Sequence, residues 1–420
     1  MTNINQLVNE EPAGKMKSYL LIWIGQLFSL LGSGVVQFAI IWWLTLKTES
    51  AFVLALATFV GLVPMVILSP VAGVFADRWS RKSIILFSDF FQAIATFGLI
   101  MLFWFNLVDI WHVLALLAVR GVFQAFHMPA SIAIVPQLVP KDQISRINGL
   151  TSIFNNLIFI VSPAIGALLL EFFTVGGILW LDVITFLIAV GTLIVVSIPP
   201  IIRSTELEAT QASFRIQFIE GLSYLKNNGF LPLVVVFTIG NILINPIFTL
   251  MPLFVKEIHL GGALELAFII GLFQVGNFGG SMLIALKNFT PKIKTLTVAL
   301  ATTFFGMLLI ALAPTGIFVV MGVGTLIIGF SVGIIDVGII SYFQIFIPPD
   351  LQGRITSVTF TLVKSILPLA LLVIGGIAEI VGIPLLFLLS PILGFGLVTY
   401  SLFLSDIALP EKQSVPSSIL

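Results

Sequence analysis

Ionisable side chains lie inside the long apolar runs of a 420-residue chain, among them Arg120, His127, Asp336 and Lys364. A charge at mid-membrane costs ~2.5–3.5 kcal/mol on the insertion scale, so each is a functional candidate by default. Asp336 precedes the end of its run by about eleven residues, and Lys364 follows the start of the next by about nine. At a rise of ~1.5 Å per residue their depths agree within ~3 Å, which predicts an ion pair between neighbouring helices. Such a pair is either a proton-sensitive latch, released when Asp336 is protonated, or a permanent structural contact. His127 can relay protons near neutral pH or bond a neighbouring helix. Arg120 holds an anionic group or carboxylate, or else bonds backbone carbonyls. Asp182 reads as structural, and Asp89 is expected to snorkel toward the basic cluster at 78–82.

Polar side chains recur at helical spacing around these charges. Gln26, Ser29, Ser33 and Gln37 form one face, Asn241, Asn245 and Thr249 a second, and Gln274, Asn277 and Ser281 a third. Each stripe lines a cavity or glues helices together. Long amides repeated on related helices fit cavity lining better, and Phe38, Trp42, Phe123 and Phe343 fall among the same faces. A few aromatics of this kind suit an apolar, multispecific site. Gly322, Gly329 and Gly333 permit close helix approach.

The elements that must position these residues are membrane helices. The chain is 59% hydrophobic and only 9% charged, against roughly a quarter charged in soluble domains. Twelve apolar runs, each of about 20 residues or more, have approximate limits of 19–46, 51–76, 83–105, 111–138, 148–172, 175–199, 230–256, 265–287, 295–313, 316–346, 355–382 and 384–406. The expected fold is therefore an all-α integral membrane protein of twelve transmembrane helices, since lipid leaves no partner for unpaired backbone groups. The first sixteen residues lack the pattern of a cleaved signal peptide. Zero net charge argues against a nucleic-acid partner, and the absence of cysteine excludes thiol chemistry and cysteine-based metal sites. No cofactor or metal is expected.

All but four of the nineteen Lys and Arg residues fall in the tails and in the loops that follow even-numbered spans. The exceptions are Lys47, Arg120, Lys256 and Lys364. This asymmetry places both termini in the cytoplasm of a cell-membrane protein. The expected organisation is a tail (1–18), a six-helix bundle (19–199), a linker (200–229), a second six-helix bundle (230–406) and a tail (407–420). Within the linker, 213–228 reads as an amphipathic helix lying on the membrane surface, with Phe214, Phe218, Leu222 and Leu225 on one face. The halves repeat at an offset of 208 positions, which aligns VPKDQISRI (139–147) with IPPDLQGRI (347–355) and Gly121 with Gly329. The same offset sets His127 opposite Ile335, beside Asp336. Parallel repeats imply a central cavity with a substrate site near the midplane.

The stretch GVFADRWSRK ends span two, with Gly73, Asp77, Arg78, Arg81 and Lys82 at the positions of a known loop signature. It resembles that of the major facilitator superfamily, whose buried span-four arginine is similar to Arg120. In span five, Gly149 and the run Ser162–Gly166 partly match that superfamily's antiporter element. The runs AFHMPA (125–130), VPQLVP (135–140) and LDVITF in span six, with the tryptophan-containing first span, resemble its macrolide-efflux and siderophore-exporter branch. The resemblance implies two pseudo-symmetric six-helix bundles and a monomer that exports hydrophobic or amphiphilic molecules by alternating access in exchange for protons. It also implies a gating role for the loop residues Gly73, Asp77, Arg78, Arg81 and Lys82, with Arg146 and Arg354 at matching loops. Gly73 would allow close approach, and Asp77 would meet the start of span eleven. The alternatives are an importer or facilitator of a small polar solute, or a siderophore exporter. No nucleotide-binding loop or metalloprotease pair is present, which argues against an ATP-driven pump or an intramembrane enzyme.

Overall fold

The computed structural model describes residues 12–196, 214–286 and 292–407, without the side chains of 12–15, 70, 74, 76–78, 214–217, 349–350 and 404–407. The described chain is helical throughout. Its helices are α1 (Pro12–Thr48), α2 (Ala51–Arg78), α3 (Arg81–Trp104), α4 (Ile110–Leu138), α5 (Ile144–Phe172), α6 (Val175–Val195), α7 (Phe214–Asn227), α8 (Leu231–Leu253), α9 (Ala263–Leu286), α10 (Ile293–Ala311), α11 (Phe318–Phe346), α12 (Pro349–Val381) and α13 (Ile383–Ile407). All except α7 are long and apolar enough to cross a membrane.

Local chemistry marks the ends. Ser80 caps α3 by accepting from the Ser83 amide, and Thr174 does the same for α6 through Gly177. At α4, Asp109 accepts from Ile110 at 2.7 Å while its own amide donates to Nδ1 of His112 at 3.0 Å. That capping box gives His112 a structural function. Left-handed residues make the tight reversals: Glu49 between α1 and α2, Leu260 after a π-helical turn at Phe254–Ile258, and Gly382 between α12 and α13.

The chain divides into two compact units. One comprises residues 1–44 and 60–203, the other 45–59 and 204–420. Within the first, Gly121 of α4 rests on the carbonyl of Gly61 in α2, so close that a methyl group there would overlap it. Within the second, Gly329 and Gly333 of α11 rest on the carbonyls of Phe273 and Asn277 in α9. Gly276 and Gly280 of α9 return the contact against Leu326 and Phe330. Small residues one turn apart let the two backbones touch, which is how helices gain packing where lipid supplies no hydrophobic force. The residues aligned by the 208-position repeat, Gly121 and Gly329, thus make the same kind of contact in their own units.

The second unit includes the tip of the α1–α2 hairpin. Glu379 of α12 accepts from the Phe52 amide at 3.0 Å and from the Ser50 hydroxyl at 2.5 Å, capping α2 from outside its own sequence. Glu49 pairs with Lys256, which also meets Glu257 at 3.2 Å. The linker segment 214–227 is helical, as its periodicity predicts, and part of it rests on α12. Leu225 is fully buried, and Gly221 packs on Val358 and Arg354 of α12. Residues 200–213 of that interval, and both tails beyond 12 and 407, lie outside the described residues.

Candidate functional site

The first unit contains two layers of buried polar side chains. In one layer Asp182 of α6 accepts three hydrogen bonds: from Ser33 of α1 at 2.7 Å, Thr96 of α3 at 2.9 Å and the Arg120 guanidinium of α4 at 3.1 Å. One carboxylate therefore ties four helices. Asp182 is only 6% exposed. A charge so far from water is tolerable because its lone pairs and its countercharge are both matched. In the other layer, Nε2 of His127 in α4 lies 3.2 Å from Asp89 Oδ1 and 3.2 Å from Gln26 Oε1. Gln26 of α1 donates to Asp89 Oδ2 at 3.4 Å, and Ser131 Oγ lies 3.4 Å from Nδ1 of His127. Asp89 is likewise 6% exposed.

The layers repeat by register. Gln26 and Ser33 are seven residues apart on α1, Asp89 and Thr96 on α3, and Arg120 and His127 on α4. Seven residues are nearly two helical turns, so each helix presents both members on one face, ~10.5 Å apart along its axis.

Several expectations are corrected by this arrangement. Asp89 does not join the basic cluster: two turns inside α3, its side chain points at α1 and α4, where His127 and Gln26 satisfy it. Ser33 does not line a cavity, because its hydroxyl is committed to Asp182. Phe38 and Trp42 are buried, with Phe38 packed on Gly166 of α5. Phe123 is half-buried and stacks on Phe91, centroids 5.0 Å apart. Gln37 is exposed.

The second unit differs. Asp336 and Lys364 are both exposed, and no contact ion pair joins them. The reason is packing: α11 lies chiefly against α9 and α10, and α12 against α8 and α7, so matched depth does not bring the two side chains together. Lys364 stays within electrostatic range of Asp336 without touching it. Asn241 and Asn245 are half-buried on one face of α8 and donate to carbonyls one turn back, Phe237 at 3.0 Å and Asn241 at 2.9 Å. Among the described residues they show no bond across to another helix, unlike Ser281 of α9, whose hydroxyl donates to the Gly333 carbonyl of α11 at 3.4 Å. Gln274 and Asn277 are half-buried on α9. Phe343 is buried against Phe230, which removes it from any cavity wall.

The loop cations have specific partners. Arg81 donates to the Ala133 carbonyl near the end of α4. Lys82 donates to Val196 at 2.6 Å and Ile194 at 3.0 Å, at the end of α6. Cations suit these positions because helix C-termini carry unpaired carbonyls and partial negative charge. Among the described residues nothing lies within 4 Å of where a Cβ on Gly73 would stand. The side chains of Asp77 and Arg78 lie outside the described residues. Arg146 is exposed, and Arg354 pairs with Glu220 of α7 at 2.5 Å.

Sequence reasoning missed the role of Asp89 and the joining of Asp182 to Arg120. The signal was available as the seven-residue spacing of polar positions in spans one, three and four.

Comparison with known proteins agrees with this architecture. The family profile of the Major Facilitator Superfamily matches residues 22–369. Macrolide efflux protein A of Streptococcus pyogenes is 31% identical over 378 residues, covering 90% of this chain and 93% of that protein. The multidrug efflux pump Tap of Mycobacterium bovis (strain BCG / Pasteur 1173P2) is 26% identical over 399 residues, covering 91% and 92%. Among solved structures, the nucleoside transporter NupG superposes with a TM-score of 0.71 at 12% identity, covering 93% of this chain and 99% of that one. A D-xylose-proton symporter gives 0.70 at 13% identity, covering 95% and 99%. This chain is a multi-pass membrane protein that belongs to the major facilitator superfamily.

Proposed function

We propose that the protein exports hydrophobic or amphiphilic small molecules of the macrolide type in exchange for protons, by alternating access. It works in the plasma membrane as a monomer with both termini in the cytoplasm. The observation that carries this reading is similarity along nine-tenths of the chain to proteins named for macrolide and multidrug efflux. Termini in the cytoplasm follow from the concentration of Lys and Arg in one set of loops.

Side-chain placement supports the same reading. Asp336 is an exposed carboxylate midway along α11, with no hydrogen-bond or ion-pair partner among the described residues. An unpaired carboxylate at that depth needs water, so its face of α11 borders an aqueous path. In the same unit the half-buried amides of Asn245, Gln274 and Asn277 offer polar contacts for cargo. Asp336 is the proton-accessible acid of this path and Lys364 sets its local field.

The test is uptake of radiolabelled erythromycin, a macrolide, into inverted vesicles under an imposed pH gradient. Wild type should accumulate the probe and Asp336→Asn should lose the gradient dependence. Accumulation unaffected by both the gradient and the substitution would refute proton coupling at this residue.

A further inference from the structure

We infer that Asp89 and His127 form a second, buried proton-binding site, in the first unit, whose mobile proton resides on Nδ1 of His127. The inference rests on the proposed proton-driven export and identifies a site for its coupling ion. It begins from an asymmetry between the two layers. The Arg120–Asp182 layer joins a permanent cation to a carboxylate with three donors, and it gains nothing by taking up a proton. The His127–Asp89 layer holds an imidazole well inside α4, whereas the other histidine of that helix, His112, is committed to the cap at its start; imidazole is the side chain suited to taking up and releasing a proton near neutral pH.

The geometry assigns each ring nitrogen. Nε2 faces two acceptors, Asp89 Oδ1 and Gln26 Oε1, each at 3.2 Å, so it carries hydrogen in both protonation states. Nδ1 faces only the Ser131 hydroxyl at 3.4 Å. In the neutral ring Nδ1 accepts from Ser131. When a proton binds, Nδ1–H donates and the hydroxyl turns to accept. The Asp89 carboxylate faces Nε2 and balances the imidazolium, while the Gln26 amide, 3.4 Å from Oδ2, orients it. The layer thus alternates between one net negative charge and none. A buried layer that is neutral only when protonated favours the proton-loaded form of the bundle.

Neighbouring charges do not pre-empt this assignment. Neither Asp89 nor His127 has another charged partner within 4.0 Å among the described residues. On α3, Arg81 and Lys82 are engaged with carbonyls. Arg120 on α4 and Asp182 on α6 are engaged with each other. On α1 the contact is the neutral Gln26, with Lys17 exposed and Tyr19 hydrogen-bonded to Thr151 of α5. Arg146 of α5 is exposed, and α2 approaches α4 here through Phe75 against Phe126, its Asp77 and Arg78 side chains lying outside the described residues.

The experiment compares the full-length wild type with Asp89→Asn and His127→Gln in proteoliposomes, using radiolabelled erythromycin as probe. Each variant should lose gradient-driven uptake and erythromycin-induced proton movement, yet keep gradient-free exchange of the probe. Gradient-driven uptake retained by either variant overturns the inference. Should a variant be too unstable to assay, 15N-histidine NMR of the wild type decides. The His127 ring should gain its second proton as the pH is lowered, and Asp89→Glu should change the pH at which it does so. A ring fixed in one state throughout overturns the site. Failure of the functional reading is distinguishable: wild type would then move no erythromycin while His127 still titrates.

Discussion

Arg120 and His127 lie two turns apart on one face of α4, and each holds a carboxylate supplied by a different helix, Asp182 of α6 and Asp89 of α3. One helix therefore supplies the basic partner of both buried layers. The stability of the first unit depends on Arg120 keeping its acid.

Removing one partner strands a charge. Arg120→Leu should destabilise the detergent-solubilised protein by about 3–5 kcal/mol, because Asp182 stays buried without its countercharge. The double variant Arg120→Leu/Asp182→Leu should recover much of that loss, since neither charge then remains. Thermal unfolding of wild type, both single variants and the double variant measures the coupling. A double variant as unstable as the sum of the singles would show that the pair is not the organising contact.

The glycine contacts make a contrasting pair. Gly329→Ala forces a methyl group into the Phe273 carbonyl and should cost about 1–3 kcal/mol by overpacking. Gly73→Ala meets none of the described residues and should leave stability within about 0.5 kcal/mol or slightly improved, as an alanine in a helix usually is. Comparison of folded yield and melting temperature for the two variants checks both.

His259 links stability to pH in the second unit. It lies outside the spans, 2% exposed between Phe254 and Phe318, and burial pushes its ring below the ordinary histidine value. The folded state therefore favours the neutral ring, while the unfolded chain takes up a proton from pH about 6.5 downward. Its contribution is fully present above that value and is lost as pH falls toward the folded value. Melting temperature should drop from pH 7 to 5, and His259→Phe, which keeps the ring stack, should flatten that part of the profile.

Arg354 gives the opposite expectation. Its bond to Glu220 is largely exposed, and such pairs contribute at most about 1 kcal/mol. Arg354→Ala should melt close to wild type. A clear loss of erythromycin transport in a variant of unchanged stability would identify the loop arginine as a moving part of the transport cycle.

The fold was largely legible in the sequence because a membrane span is a long apolar run and few other structures require one. Helix number and the resemblance to the superfamily followed from the apolar runs and from GVFADRWSRK. Side-chain partners were harder. Depth alone paired Asp336 with Lys364, yet depth says nothing about the direction a residue faces around its helix. Asp89 was misread for the complementary reason: its closeness to Arg81 in sequence suggested a shared destination, whereas two turns of helix aim it elsewhere. Ser33, Thr96 and Asp182 come from three separate spans, and only their packing reveals that they share one carboxylate.

Arg81 and Lys82 act at two moments in the life of the chain. While α3 enters the bilayer their role is electrostatic and needs only water, because neither α4 nor α6 yet exists as a finished helix. Their final acceptors, Ala133 and then Ile194 and Val196, appear later in synthesis. Capture of the end of α6 by Lys82 is therefore a late step of bundle assembly. A defect at Lys82 should surface as a correctly inserted but incompletely closed first unit, a biogenesis intermediate open to quality-control proteases, and not as an inverted topology.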